Sequence, residues 1–199
     1  TELQLARQAG LFEHEWRNVV EHLLVVNAVA VFLARELAAA GAPINVDVVD
    51  QASILHDVAK RLDKKAGVSY LDTFQKGKGS GFLASAGYKP EVIKAARYTG
   101  SVPDMFIQDP AEQERVVARA PLEDLIIGYS DNRVRNVSVV SLETARDENK
   151  KKVPADPMVY DRMYDLYRTV ERRLFALLGE RLRPEEITDE RILAMVKAG

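Results

Sequence analysis

The chain contains no cysteine. That excludes disulfide scaffolds, thiolate zinc sites and cysteine nucleophiles, and it suits a reducing cytoplasm. A surplus of one charge is lacking too: 28 basic and 30 acidic side chains leave a net charge of −2. A general nucleic-acid binder would carry a basic face, so no nucleic-acid polymer is expected as a partner. Long apolar runs are missing. The longest, Leu23 to Ala34, is interrupted by Asn27 and falls short of the roughly 20 residues that a hydrocarbon core requires. The first residues, TELQLARQAG, lack the basic-then-apolar order of a secretory signal. The expected location is therefore cytoplasmic, with no membrane contact. No internal repeat and no linker divides the 199 residues, so one domain spanning residues 1–199 is expected.

What is present is helical periodicity. Hydrophobic residues make up 47% of the chain and charged residues 29%, a globular composition. A long pattern from Trp16 to Ala40 places Val25, Val29, Leu33 and Leu37 on one stripe and stops at Gly41 and Pro43. A second helix begins near Asn45 or Asp47, with Val49, Ala52, His56 and Ala59 on one face. Short helices flank the glycine-rich KGKGSG at 76–81, which is flexible by composition, and Pro90 opens a helix through about Tyr98. TGSVPDMFIQDP reads as a loop, and Pro121 opens the next helix, PLEDLIIGYSDNRV. SLETARDENKKK is helical, with Lys150, Lys151 and Lys152 at a solvated end. A long amphipathic helix from Asp156 to Leu178 turns Met163, Leu166, Val170, Leu174 and Leu177 inward. PEEITDERILAMVKA forms a last helix, an appendage over 184–198. VRNVSVVSL at 134–142 is the one β-branched cluster and suits a short extended piece. The fold class is all-α.

Histidine is scarce, with only His14, His22 and His56. His22 shares a stripe with Val25, Val29 and Leu33. His56 shares one with Val49 and Ala52 and is followed by Asp57. Asp131 lies four after Ile127 and three before Val134, again on an apolar face. A single inward histidine is usually a satisfied core residue, and a buried aspartate more often caps or pairs than ligates. Four such groups from three helices are different. Buried carboxylates need a cation or strong hydrogen bonds, and two imidazoles with two carboxylates suit one divalent ion of N/O preference.

The set His22, His56–Asp57 and Asp131 resembles the signature of the HD-domain superfamily of metal-dependent phosphohydrolases. EHLLVVNAVAVFLARELA is similar to that family's first-histidine helix. QASILHDVAKR resembles the lead into its His–Asp pair, and YSDNRVRNVSVVSLE resembles its last aspartate helix. The resemblance covers roughly residues 14 to 178. It implies a helical bundle with one divalent ion (Mn, Co, Ni, Fe, Zn or Mg) held by His22, His56, Asp57 and Asp131. It also implies hydrolysis of a phosphoester of a small metabolite, a nucleotide by family habit, through attack of metal-activated water. Lys60, three after Asp57, would meet substrate phosphate and with Asp57 would serve catalysis.

Two-metal relatives carry further histidines between the His–Asp pair and the last aspartate. Here Arg97 and Tyr98 stand in that stretch, so a single ion is implied, and these two residues together with Arg17 are candidate substrate contacts. Asp124 is either a helix-start carboxylate or a partner to a ligand histidine. His14 is a surface residue or a proton shuttle. Glu21, Asp63 and His14 are unranked candidates for the general acid, and KGKGSG is a plain loop or a cationic lid. The alternative to an enzyme is a non-catalytic ligand- or partner-binding module with a structural metal. The long C-terminal amphipathic helix leaves a homodimer open.

Overall fold

The computed structural model describes residues 17–58, 79–97, 107, 109–152 and 157–198. The architecture is almost wholly helical. Helix α1 spans Arg17–Ala39, α2 Val46–Leu55, α3 Gly79–Ser85 and α4 Pro90–Arg97. Helix α5 follows at Pro110–Arg119 and α6 at Leu122–Arg133. A two-stranded hairpin comes next, β1 Val134–Arg135 and β2 Ser138–Val139. Then come α7 Leu142–Lys152, α8 Pro157–Leu178, a 3-10 turn Pro184–Glu186 and α9 Asp189–Ala198.

Helix α1 is the central element. Val26, Val29, Ala30, Leu33, Ala34 and Leu37 are wholly buried along one side, and they meet Val49, Ala52 and Leu55 of α2 and Leu125 and Ile126 of α6 in one continuous core. It ends where glycine permits it. Gly41 takes φ +86°, and the Gly41 and Ala42 N–H groups close back on the Ala38 and Leu37 carbonyls at 3.0 and 2.9 Å. Asn45 then caps α2, its Oδ1 accepting from Val48 N–H at 3.2 Å. One polar bridge crosses the α1–α2 seam. Asn27 Nδ2 donates to Asp50 Oδ1 at 2.8 Å and to Ser53 Oγ at 2.9 Å.

A second zone of cohesion is charged. Arg133, at the end of α6, is buried and donates from all three guanidinium nitrogens. Nε reaches the Val140 carbonyl, Nη1 the Tyr129 hydroxyl, and Nη2 the Pro184 and Ile187 carbonyls, each at 3.2 Å. The Tyr129 hydroxyl donates in turn to Glu171 Oε2 of α8 at 2.7 Å. Burial pushes the Tyr129 hydroxyl far above its usual range, so it stays a donor.

Several expectations change against this fold. Val19–Ala39 is long and apolar enough, by length and composition alone, to cross a membrane, although no single apolar run in it is; within the fold its inward face is core. Leu177 is 43% exposed, and Leu178 faces inward in its place, because Leu178 continues the spacing of four set by Leu166, Val170 and Leu174. Helix α5 adds to the expected elements: Asp109 caps it through Ala111 N–H at 3.0 Å, and Pro110 sits in its first turn, where no N–H is required. The closing segment divides into a 3-10 turn and α9 around Ile187 and Thr188. Of KGKGSG, residues 79–81 open α3. The β-branched cluster at 134–142 does form an extended piece, the β1–β2 hairpin.

Candidate metal centre

His22, His56 and Asp131 come together at the junction of α1, α2 and α6. Their ligand atoms all lie within 4.8 Å of one another. Each arrives by a different local device. His22 projects from the second turn of α1 and is 16% exposed. His56 is the residue on which α2 ends, and its side chain is fully buried. Asp131 sits in the last turn of α6, where its backbone carbonyl accepts from Val134 N–H and from Arg135 Nη1 at 3.2 Å. Burial draws the Arg135 guanidinium below its ordinary value, while the nearby Asp131 carboxylate favours its charged form.

The orientation of both rings follows from acceptor-only partners. The end of α2 leaves the Ser53 carbonyl without a helical donor, and His56 Nδ1–H fills it at 2.6 Å. His22 Nδ1–H donates to the Asn136 carbonyl at 3.2 Å. A carbonyl cannot donate, so Nδ1 carries the proton in each ring and Nε2 is the nitrogen turned inward. Both Nε2 atoms face one oxygen, Asp131 Oδ1, at 3.0 Å from His22 and 3.4 Å from His56. The two rings meet edge to face with centroids 5.9 Å apart.

These separations suit a shared ion. Donors held about 2.1 Å from one divalent cation stand about 3.0 Å apart at right angles and about 3.4 Å apart at the tetrahedral angle. Neutral imidazole nitrogens pointed at a carboxylate oxygen need either a proton or a cation between them, and two such nitrogens on one oxygen match a cation well. The donor set therefore fits a divalent metal of N/O preference.

Asp57 adjoins this trio. Its Oδ1 lies 3.6 Å from His56 Nε2 and is sealed from solvent, yet it falls outside the group whose members are all mutually close. Arg17 is the first residue of α1, and Arg97 closes α4, half-buried. Lys60, Tyr98, His14 and Asp63 lie outside the described residues. Glu21 is exposed on α1. Asp124 is a helix-start carboxylate: it stands in the first turn of α6, 3% exposed, with Lys94 Nζ of α4 at 3.5 Å. Burial raises its pKa, and Lys94 counteracts part of the rise.

Three groups that support the centre have no mark in the sequence reading. Ser53 and Asn136 act through backbone carbonyls, which every residue type possesses. Asn27 sits four residues after Leu23 and three before Ala30, both buried, and that spacing marks it as a polar residue turned towards the core. Compared with protein-family models, curated proteins and solved structures, the chain matches none.

Proposed function

We propose that this protein is a single-metal phosphohydrolase of the HD type, cytoplasmic, acting on a phosphoester of a small metabolite, with nucleotides the first class to screen. The observation that carries this reading is the single oxygen, Asp131 Oδ1, faced by two imidazole Nε2 atoms at 3.0 and 3.4 Å. His22, His56 and Asp131 would hold the ion, and Asp57 would join them as a fourth donor. A divalent ion there supplies an acidified water and polarisation of the phosphoester.

The chain's own contribution is preorganisation. The Ser53 and Asn136 carbonyls keep both Nδ1 atoms protonated and both Nε2 atoms directed inward, so no reorientation precedes metal uptake. His22 and Asp131 keep 16% and 18% of their side chains exposed, so the centre has an open side. Three or four protein donors leave positions for water and substrate, as catalytic sites do and closed structural sites do not. By resemblance, Lys60 neutralises charge that develops on the phosphoryl group, and Arg17, Arg97 and Tyr98 contact the substrate.

The test is turnover of p-nitrophenyl phosphate and a nucleotide panel with added Mn²⁺, Co²⁺, Ni²⁺ and Mg²⁺. Hydrolysis by the wild type with at least one of these ions is expected, together with its loss in Asp57→Ala at an unchanged helical circular-dichroism signal. Full activity in Asp57→Ala, or no turnover by a metal-loaded wild type, would overturn the enzyme and leave a binding module.

A further inference from the structure

The His22 ring is set by a bond that depends on the far end of the chain. Its Nδ1–H donates to the carbonyl of Asn136, the tip of the β1–β2 hairpin, where Asn136 takes a left-handed φ of +54°. Each strand of that hairpin is two residues long. A ribbon so short has no independent stability, so the carbonyl stays in place only if something outside the hairpin holds it.

The anchors come from the C-terminal segment. Val140 N–H pairs back with the Arg133 carbonyl at 2.7 Å, which leaves Val139 N–H pointing away from β1 as an edge donor. Asp189, the first residue of α9, accepts that N–H at 2.7 Å through Oδ1. Beside it, Arg133 joins the Val140 carbonyl to the carbonyls of Pro184 and Ile187. The segment is itself seated in the core by Ile187 and Ile192, with Leu182 just before it. Each strand end of the hairpin is thus tied to residues 184–189.

We propose that the C-terminal segment Pro184–Ala198 is a positioning element for the metal centre, with Asp189 as its positioning residue: it fixes the hairpin, and the hairpin's Asn136 carbonyl orients His22. The inference rests on the reading of His22, His56 and Asp131 as metal ligands. His56 does not share this dependence, because its Nδ1 partner is Ser53, three residues away. Loss of Asp189 therefore loosens one ligand and leaves the other.

Asp189 is exposed, so its substitution tests positioning without opening the core. The chain has only three histidines, which makes their ring N–H resonances assignable in the full-length protein. In metal-free protein, the His22 Nδ1–H should exchange with water about tenfold faster or more in Asp189→Ala than in the wild type, with His56 Nδ1–H unchanged. Zn²⁺ titrated by calorimetry should bind Asp189→Ala about tenfold more weakly, the loss typical when the partner of a ligand histidine is removed. Asp189→Asn keeps the Oδ1 acceptor and should restore both values. Unchanged exchange and unchanged Zn²⁺ affinity in Asp189→Ala would overturn the proposal. If the wild type takes up no Zn²⁺, the metal reading fails, and the exchange comparison alone then decides whether the segment positions His22.

Discussion

The two histidines of the centre are mounted in opposite ways. His56 is held by its own helix: α2 ends, the Ser53 carbonyl loses its helical donor, and the ring turns back to it in a wholly buried site. His22 is held by a carbonyl 114 residues away, at an exposed hairpin tip. The first arrangement requires only that α2 form and pack. The second requires α6, the hairpin, α8 and the C-terminal segment to be in place together. A local bond supplies a rigid ligand from little structure, whereas a distant bond makes the other ligand a reporter of whether the whole chain is assembled.

The cohesion of the two mountings differs in the same sense. Around His56 it is apolar packing of α1 on α2, with Asn27 as a polar bridge. Around His22 it runs through Arg133 and its partners. Arg133→Ala should therefore have the largest effect. It removes the charge that faces Glu171 at 3.8 Å and leaves the Tyr129 hydroxyl and the Val140, Pro184 and Ile187 carbonyls without their Arg133 donor, which costs about 3–5 kcal/mol, and urea denaturation would read this as a lower midpoint. A loss under about 1 kcal/mol would show that the charged zone is not what fixes the hairpin.

On the His56 side, Asn27→Ala should cost about 1–2 kcal/mol by removing the donor shared by Asp50 and Ser53. Its effect on Zn²⁺ affinity, measured by calorimetry, should be smaller than that of Asp189→Ala, because the Ser53 carbonyl remains. Equal effects would erase the contrast between the two mountings. Asn45→Ala removes the cap of α2 and should cost about 1 kcal/mol; thermal unfolding followed by circular dichroism would detect it.

The smallest effect is a pH dependence at Asp124, whose carboxyl is raised above 3.8 by burial. The folded state then holds that proton more tightly than the unfolded state. Its contribution is fully present below the unfolded value and is lost as pH rises through the folded value. Relative to Asp124→Asn, the wild type should be favoured most below pH 3.8 and progressively less as the pH rises above it. Urea midpoints of both proteins across that range would show it, and a trend of opposite sign would mean that Lys94 outweighs burial.

Much of the centre is legible in the amino-acid sequence. Helical period alone turns His22 and Asp131 inward, since each shares a stripe with buried Val29 or Ile127. The helix boundaries at Gly41, Asn45 and Pro90 are readable because glycine, asparagine and proline impose specific backbone chemistry there. Helix α5 is harder to read, because Asp109–Pro110 suits the end of a loop as well as a cap followed by a first-turn proline. Leu177 and Leu178 are adjacent and equally apolar, so composition does not say which faces the core at the end of a long helix. The carbonyls of Ser53 and Asn136 are unreadable for a deeper reason. A backbone acceptor has no residue type, and the contact to Asn136 depends on a tertiary arrangement spanning most of the chain.

Everything proposed for the centre depends on one ion shared by two imidazoles and a carboxylate. The direct measurement is elemental analysis of the purified protein beside His56→Ala. About one divalent transition-metal ion per chain in the wild type, lost in the variant, is the predicted result. A wild type that stays metal-free after reconstitution, or a His56→Ala protein that keeps its ion, would contradict it.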